Sequence, residues 1–181
     1  MAHFGLSNPF IAKLDKKTGA YSQGFRCGKA VATDVNPNYA EGTLYADDEL
    51  AEEAKKFKYA DVTMGTSELP VEASEVIFGH TVNGNKIVYN ADDKSNEVGY
   101  GFYTTEQKDG ETTYWACVLP CVKFVEPQES YATVGDNIEF KTPSVSGKAK
   151  KDGNGKWRVK EKFTKEIDAI EFIKNFLNIT E

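Results

Sequence analysis

Reactive side chains are sparse in this chain of 181 residues, and their types and spacing limit what they can do. His3 and His80 are its only histidines, and most of the chain separates them. No serine or cysteine sits in a Gly-x-Ser-x-Gly elbow, so no hydrolytic triad is expected. Cys117 and Cys121 fall four apart in a strand-like run. Strand period would put them on one face about 13 Å apart, too far for one tetrahedral zinc unless Pro120 folds the strand. With Cys27 they read as reduced core thiols. Asp47-Asp48-Glu49 and Asp92-Asp93 offer hard oxygen ligands but lack the alternating spacing and central glycine of a calcium loop, and they read as solvated loops. The glycines of 147–155 lead into no Gly-Lys-Ser/Thr helix start, so they make no phosphate cradle. The expectation is a protein without catalytic residues, cofactor or metal, and not an enzyme.

Other means of acting are bounded by composition. The length suits one domain, 1–181, able to bury a core without disulfides. The net charge of -6 argues against general nucleic-acid binding. No stretch approaches the about 20 apolar residues of a membrane span. The opening MAHFGLSNPF lacks the charged and apolar regions of a signal peptide, so synthesis and retention in the cytoplasm are expected.

The elements that would carry any site are mostly strands and turns. Residues 10–14 alternate, Asp15 to Gly19 turns, and a second run spans about 21–35, which predicts an N-terminal hairpin. Asn83-Gly84 and Asp109-Gly110 each predict a two-residue hairpin. The run from Tyr114 to Val125 is apolar on both faces and reads as a central strand reaching a bulge or edge at Pro120. A further hairpin is predicted from Ser144–Lys150 and Lys156–Phe163 about the turn 152–155. Pro70 and Gly79 bracket a short helix of about nine residues. Thr164 is a candidate cap for a second helix over 164–178, with Ile167, Ile170, Ile173 and Leu177 on its apolar face. Residues 48–58 fit helical spacing through Leu50, Ala54 and Phe57. The predicted class is mainly β with two short helices, α+β.

Charge is unevenly distributed. From Glu41 to Glu53 there are six acidic residues and no basic one, whereas Lys141 to Lys165 holds nine basic residues against Asp152 and Glu161. Solvated faces would account for both runs. If subunits stack head to tail, Asp47, Asp48, Glu49, Glu52 and Glu53 could instead meet Lys148, Lys150 and Lys151 of a neighbour and set register.

Two stretches carry a resemblance: 41–80, EGTLYADDELAEEAKKFKYADVTMGTSELPVEASEVIFGH, and 135–149, GDNIEFKTPSVSGKA. With the opening GLSNPFIAKL at 5–14 and the C-terminal helix, the chain resembles, almost end to end, the major tail proteins, or tail-tube proteins, of long non-contractile-tailed phages and prophages of Gram-positive bacteria. The resemblance implies a β-sandwich or partly closed barrel with a flanking C-terminal helix and an extended acidic arm over about 41–60, so the extended reading of 48–58 is adopted. It also implies hexameric rings stacked into a virion tail tube, assembled in the host cytoplasm and conducting DNA during ejection. The implied partners are the chain itself, a tape-measure protein, distal-tail or baseplate proteins and a tail terminator. DNA would pass through the lumen without specific binding, and no membrane is involved. Two alternatives remain: the tube of a phage-like injection device, and a β-sandwich binding module, for instance for carbohydrate, using Tyr100, Phe102, Tyr103, Tyr114 and Trp115.

Overall fold

Period-two alternation and turn chemistry account for most of the backbone. The computed structural model describes residues 3–46, 49–129, 133 and 142–180. The elements are β1 (His3–Leu14), β2 (Tyr21–Arg26), β3 (Ala30–Ala46), β4 (Glu49–Thr66), α1 (Val71–Val76), β5 (Thr81–Asn83), β6 (Lys86–Val88), β7 (Val98–Lys108), β8 (Glu111–Phe124), β9 (Ser144–Lys150), β10 (Val159–Phe163) and α2 (Glu166–Phe176). The predicted N-terminal hairpin forms as β1 and β2. Asp109 and Gly110 both take positive φ, 52° and 85°, the twist-matched turn for β7 and β8. The β5–β6 hairpin forms one residue later than predicted, turning at Gly84-Asn85.

The eight main strands form one antiparallel sheet in the order β2-β1-β7-β8-β9-β4-β3, with β10 also on β8. It is not closed into a barrel. No ladder joins the outermost strands β2 and β3, although only Cys27, Gly28 and Lys29 connect them. The sheet curls, so that the Thr33 hydroxyl of β3 meets the Tyr100 hydroxyl of β7 at 2.6 Å. The Thr66 hydroxyl donates to the Cys27 carbonyl at 2.7 Å. Ile11, Val62, Met64, Tyr100, Leu119 and Phe124 fill the concave face beneath α1.

The other face carries α2, whose Ala169, Ile173 and Leu177 pack on Phe10, Ala12, Ala116 and Val118. Gly99 and Gly101 of β7 permit this approach. A Cβ on either would stand 2.4 Å from Leu177 or Ile173. Residues on both faces of β7 are therefore buried, as along β8. Lys165 rather than Thr164 stands at the N-cap of this helix and makes no side-chain cap bond, and Ile167 remains exposed. The first helix is shorter than predicted, with Val76 its last residue.

At Pro120 the central strand does bulge: Tyr100 pairs with Leu119 but Val98 pairs with Val122. Beyond this point β8 changes its neighbour. Residues 114–118 pair with β10 and residues 121–124 with β9. The predicted hairpin of 144–150 with 156–163 is therefore absent. Both strands run antiparallel to β8, one after the other along the same edge, and residues 151–158 are thrown out between them. Proline has no N–H to donate to a ladder, which suits an interruption at this place. Among the described residues no helix is long and apolar enough to cross a membrane.

Leu177→Ala should lower stability by about 2–5 kcal/mol, and Gly101→Val by about 1–3 kcal/mol through overpacking. Ile173→Ala placed on Gly101→Val should recover part of that loss. Urea unfolding of the three variants, read as midpoint shifts at constant slope, checks both expectations.

Candidate functional site: a projecting arm and a lysine-lined cleft

The longest ladder in the molecule joins β3 and β4, from Ala30↔Thr66 to Ala46↔Glu49. β9 accompanies β4 only from Gly65 to Ala60. Past that row the two strands continue alone as an arm, so residues 49–58 are extended rather than helical. A column of rings braces its base. Trp157, in the excursion between β9 and β10, stacks on Phe57 at 4.6 Å, and Tyr39 meets Phe57 edge-on at 5.9 Å. Arg158 covers the outer face of Trp157 at 4.5 Å. Lys55 reaches both the Tyr39 ring and the Glu41 carboxylate, the latter at 2.5 Å. Beyond the Phe57 contact the arm extends about 20 Å. Asp47 and Asp48 lie outside the described residues, as do the side chains of Glu49, Glu52 and Glu53.

The candidate lysines lie on the helix-bearing side of the sheet. Lys148 stands opposite Asp61 of β4 and Lys123 of β8, with its ammonium 4.3 Å from the Tyr59 ring centre. Lys150 and Lys151 line one wall of a cleft of about 560 Å³, whose other wall is the β1–β2 turn with Lys16 and Lys17. Sequence reasoning treated 15–19 only as a turn and missed these two. The signal available was the Lys16-Lys17 pair; its distance in sequence from Lys150 hid the juxtaposition.

The acidic groups of the cleft are already engaged. Glu97 pairs with Lys16 at 2.6 Å and accepts from the Cys121 thiol at 3.3 Å. Burial pushes the Glu97 pKa up, but the bonds from Lys16 and Cys121 and the charges of Lys16 and Lys150 outweigh it and hold it below the ordinary value. Asp152 accepts from the backbone N–H groups of Asn154 and Lys156 at 2.9 and 2.7 Å. Among the described residues Lys17, Lys150 and Lys151 are in no ion pair. The cleft is a concentration of positive charge on a chain of net charge -6. Its chemistry is attraction of carboxylate or phosphate oxygens.

No reactive group is prepared elsewhere among the described residues. Burial raises the Cys27 and Cys121 pKa values to about 12 and that of Cys117 to about 11, so all three thiols stay protonated. The Pro120 bulge turns Cys117 into the core and Cys121 towards the cleft, which separates the pair weighed for zinc. No group of described residues has the makings of a metal site. Asp93 of the Asp92-Asp93 pair is half-buried and binds His80 Nδ1 at 2.8 Å and the Asn90 backbone at 2.9 Å, a link between loop and helix end rather than a free loop carboxylate. Of the aromatics weighed as a carbohydrate platform, Tyr100, Phe102 and Tyr103 are buried. Compared with known proteins, the chain matches no family model and no curated relative.

Glu106 is a buried carboxylate, 2% exposed and bound by Lys162 at 2.8 Å and the Trp115 N–H at 2.9 Å. The Lys162 bond and then the Trp115 bond hold its pKa down at about 2, against an ordinary 4.5. A carboxylate with a depressed folded-state pKa stabilises the fold above its unfolded value and ceases to do so as pH falls. The Glu106 contribution is therefore expected in full above pH 4.5 and lost towards pH 2. Thermal unfolding across this window should fall more steeply with acid in the wild type than in Glu106→Gln. Parallel curves would show that Glu106 carries no such linkage.

Proposed function

We propose that this chain is a structural subunit that self-associates into the tail tube of a long-tailed phage or prophage, and that it is not an enzyme. The observation that carries the reading is the arm, two strands that stay paired past the last row shared with β9, in a stretch whose sequence holds six acidic residues from Glu41 to Glu53. A two-stranded ribbon is marginal on its own, so continuing one beyond the sheet suits a contact with another chain. The open edges of the sheet support the same reading. β2 and β3 end the sheet, and pairing the edge of one copy with that of the next would continue it around a ring.

In such a ring the lysine-bearing face, which also carries α2, would point away from the channel. A lumen free of basic patches lets DNA phosphates slide. The sequence resemblance supplies the hexameric ring and the further partners: a tape-measure protein in the lumen, distal-tail or baseplate proteins at one end and a terminator at the other. Location in the virion follows from the same reading.

Replacing residues 41–55 by an Asn-Gly turn keeps Tyr39, Phe57 and Trp157 in place and should leave the circular dichroism spectrum β-rich. The wild type at high concentration should show rings or hollow tubes by negative-stain electron microscopy, and the shortened variant a monomer by light scattering. Tubes of normal length from the shortened variant would remove the arm from the assembly.

A further inference from the structure

We infer that the cleft between the β1–β2 turn and residues 151–154 is the socket for the acidic arm of a second copy, with Lys16 and Lys17 as the half of it that the charge runs did not reveal. This rests on the assembly reading and names the partner surface within it.

Strand register fixes the direction. Val98 lies opposite both Lys13 and Val122, Val122 opposite Ala149, and Ala149 opposite Ala60, so these five residues form one row across the sheet. From this row, descending numbers in β4 lead out along the arm. Ascending numbers in β1 lead the opposite way, from Lys13 into the turn that holds Lys16 and Lys17. The arm thus points away from the end of the sheet where the turn stands. From that end the cleft runs across the helix-bearing face to Lys150 and Lys151. An acidic projection at one end and a basic turn at the other are brought together by translating one copy onto the next. A contact made this way is heterologous and repeats without closing on itself, as a stack requires.

The charge of the free chain points the same way. Lys17, Lys150 and Lys151 are without an ion-pair partner among the described residues. Lysine ammoniums on mobile stems act as point charges and need no planar match. They can therefore accept several arm carboxylates, setting register and encounter rate more than affinity.

The test uses the full chain with Lys17→Glu and Lys151→Glu together, two exposed positions whose reversal should leave circular dichroism unchanged. The concentration at which light scattering first reports assembly should rise about tenfold or more. Lys123→Glu, on the same face outside the cleft, should leave it within about twofold. Glu52→Lys with Glu53→Lys should also fail alone, and mixing it with the cleft double variant should restore tubes. Assembly of the cleft variant at the wild-type concentration, or mixtures that stay monomeric, would overturn the socket while leaving the tube reading in place. A wild type that stays monomeric at every concentration would overturn both.

Discussion

The fold turns on one residue that cannot donate a hydrogen bond. Pro120 sits inside β8, a strand with ladder partners on both sides, and the chain there gains a residue relative to β7. The outer edge of β8 is consequently shared by β10 before the bulge and β9 after it. The segment between those strands has no place in the sheet. Its expulsion puts Trp157 against Phe57, which stiffens the root of the arm, and puts Lys151 and Asp152 across from the β1–β2 turn, which makes the cleft. The Pro120 carbonyl, left to other donors, accepts from the Tyr21 hydroxyl at 2.9 Å. Tyr21 in turn lies against Phe176 near the end of α2. Arm, cleft and helix thus meet the same irregularity from three sides.

Local chemistry in the sequence reaches as far as local chemistry controls the backbone. Asp109-Gly110 specified its hairpin because both residues tolerate positive φ and the flanking strands have no closer partner. Asp152 to Lys156 is just as good a turn, closed by the bond from the Asp152 N–H to the Lys156 carbonyl at 2.8 Å, yet it makes no hairpin. Val145, Gly147 and Ala149 offer small inward side chains that fit under Phe124 and beside β4. Those long-range partners outcompete the neighbouring strand. Such a choice depends on packing between segments far apart in sequence and leaves little mark on periodicity. The cleft was illegible for the same reason, since four lysines become a site only through the register of β1, β7, β8 and β9.

The arm shows where helical periodicity and strand pairing diverge. Leu50, Ala54 and Phe57 have helical spacing, but Phe57 is needed flat against Trp157 and edge-on to Tyr39, and both contacts demand extended backbone at the base. Once the base is extended, β3 supplies a partner strand of matching length, and pairing can propagate outward one residue at a time. Lysines and glutamates are frequent along β4, which discourages unspecific lateral pairing. The charges that would suit the arm to one socket thus also make it unsuitable for random edges.

Edge strands bring the same conflict between association and solubility. β3 is exposed along one side and bears Val31 at 55% exposure, an attractive surface for any strand. It also carries Pro37, opposite Ala60. A proline in an edge strand deprives an incoming chain of one donor, so a partner must either end there or bring a bulge. Ala30 to Asn36 is then the length over which a neighbouring copy can pair in full. In the proposed assembly a short, register-limited edge would act between neighbours in a ring and the charge-selective arm between rings, and each contact would be weak alone. Once a ring had formed, its arms would meet the next ring together, so each further arm contact would be an intramolecular event with a high effective concentration. Marginal contacts of two kinds would in this way yield an assembly that forms only when both geometries are satisfied.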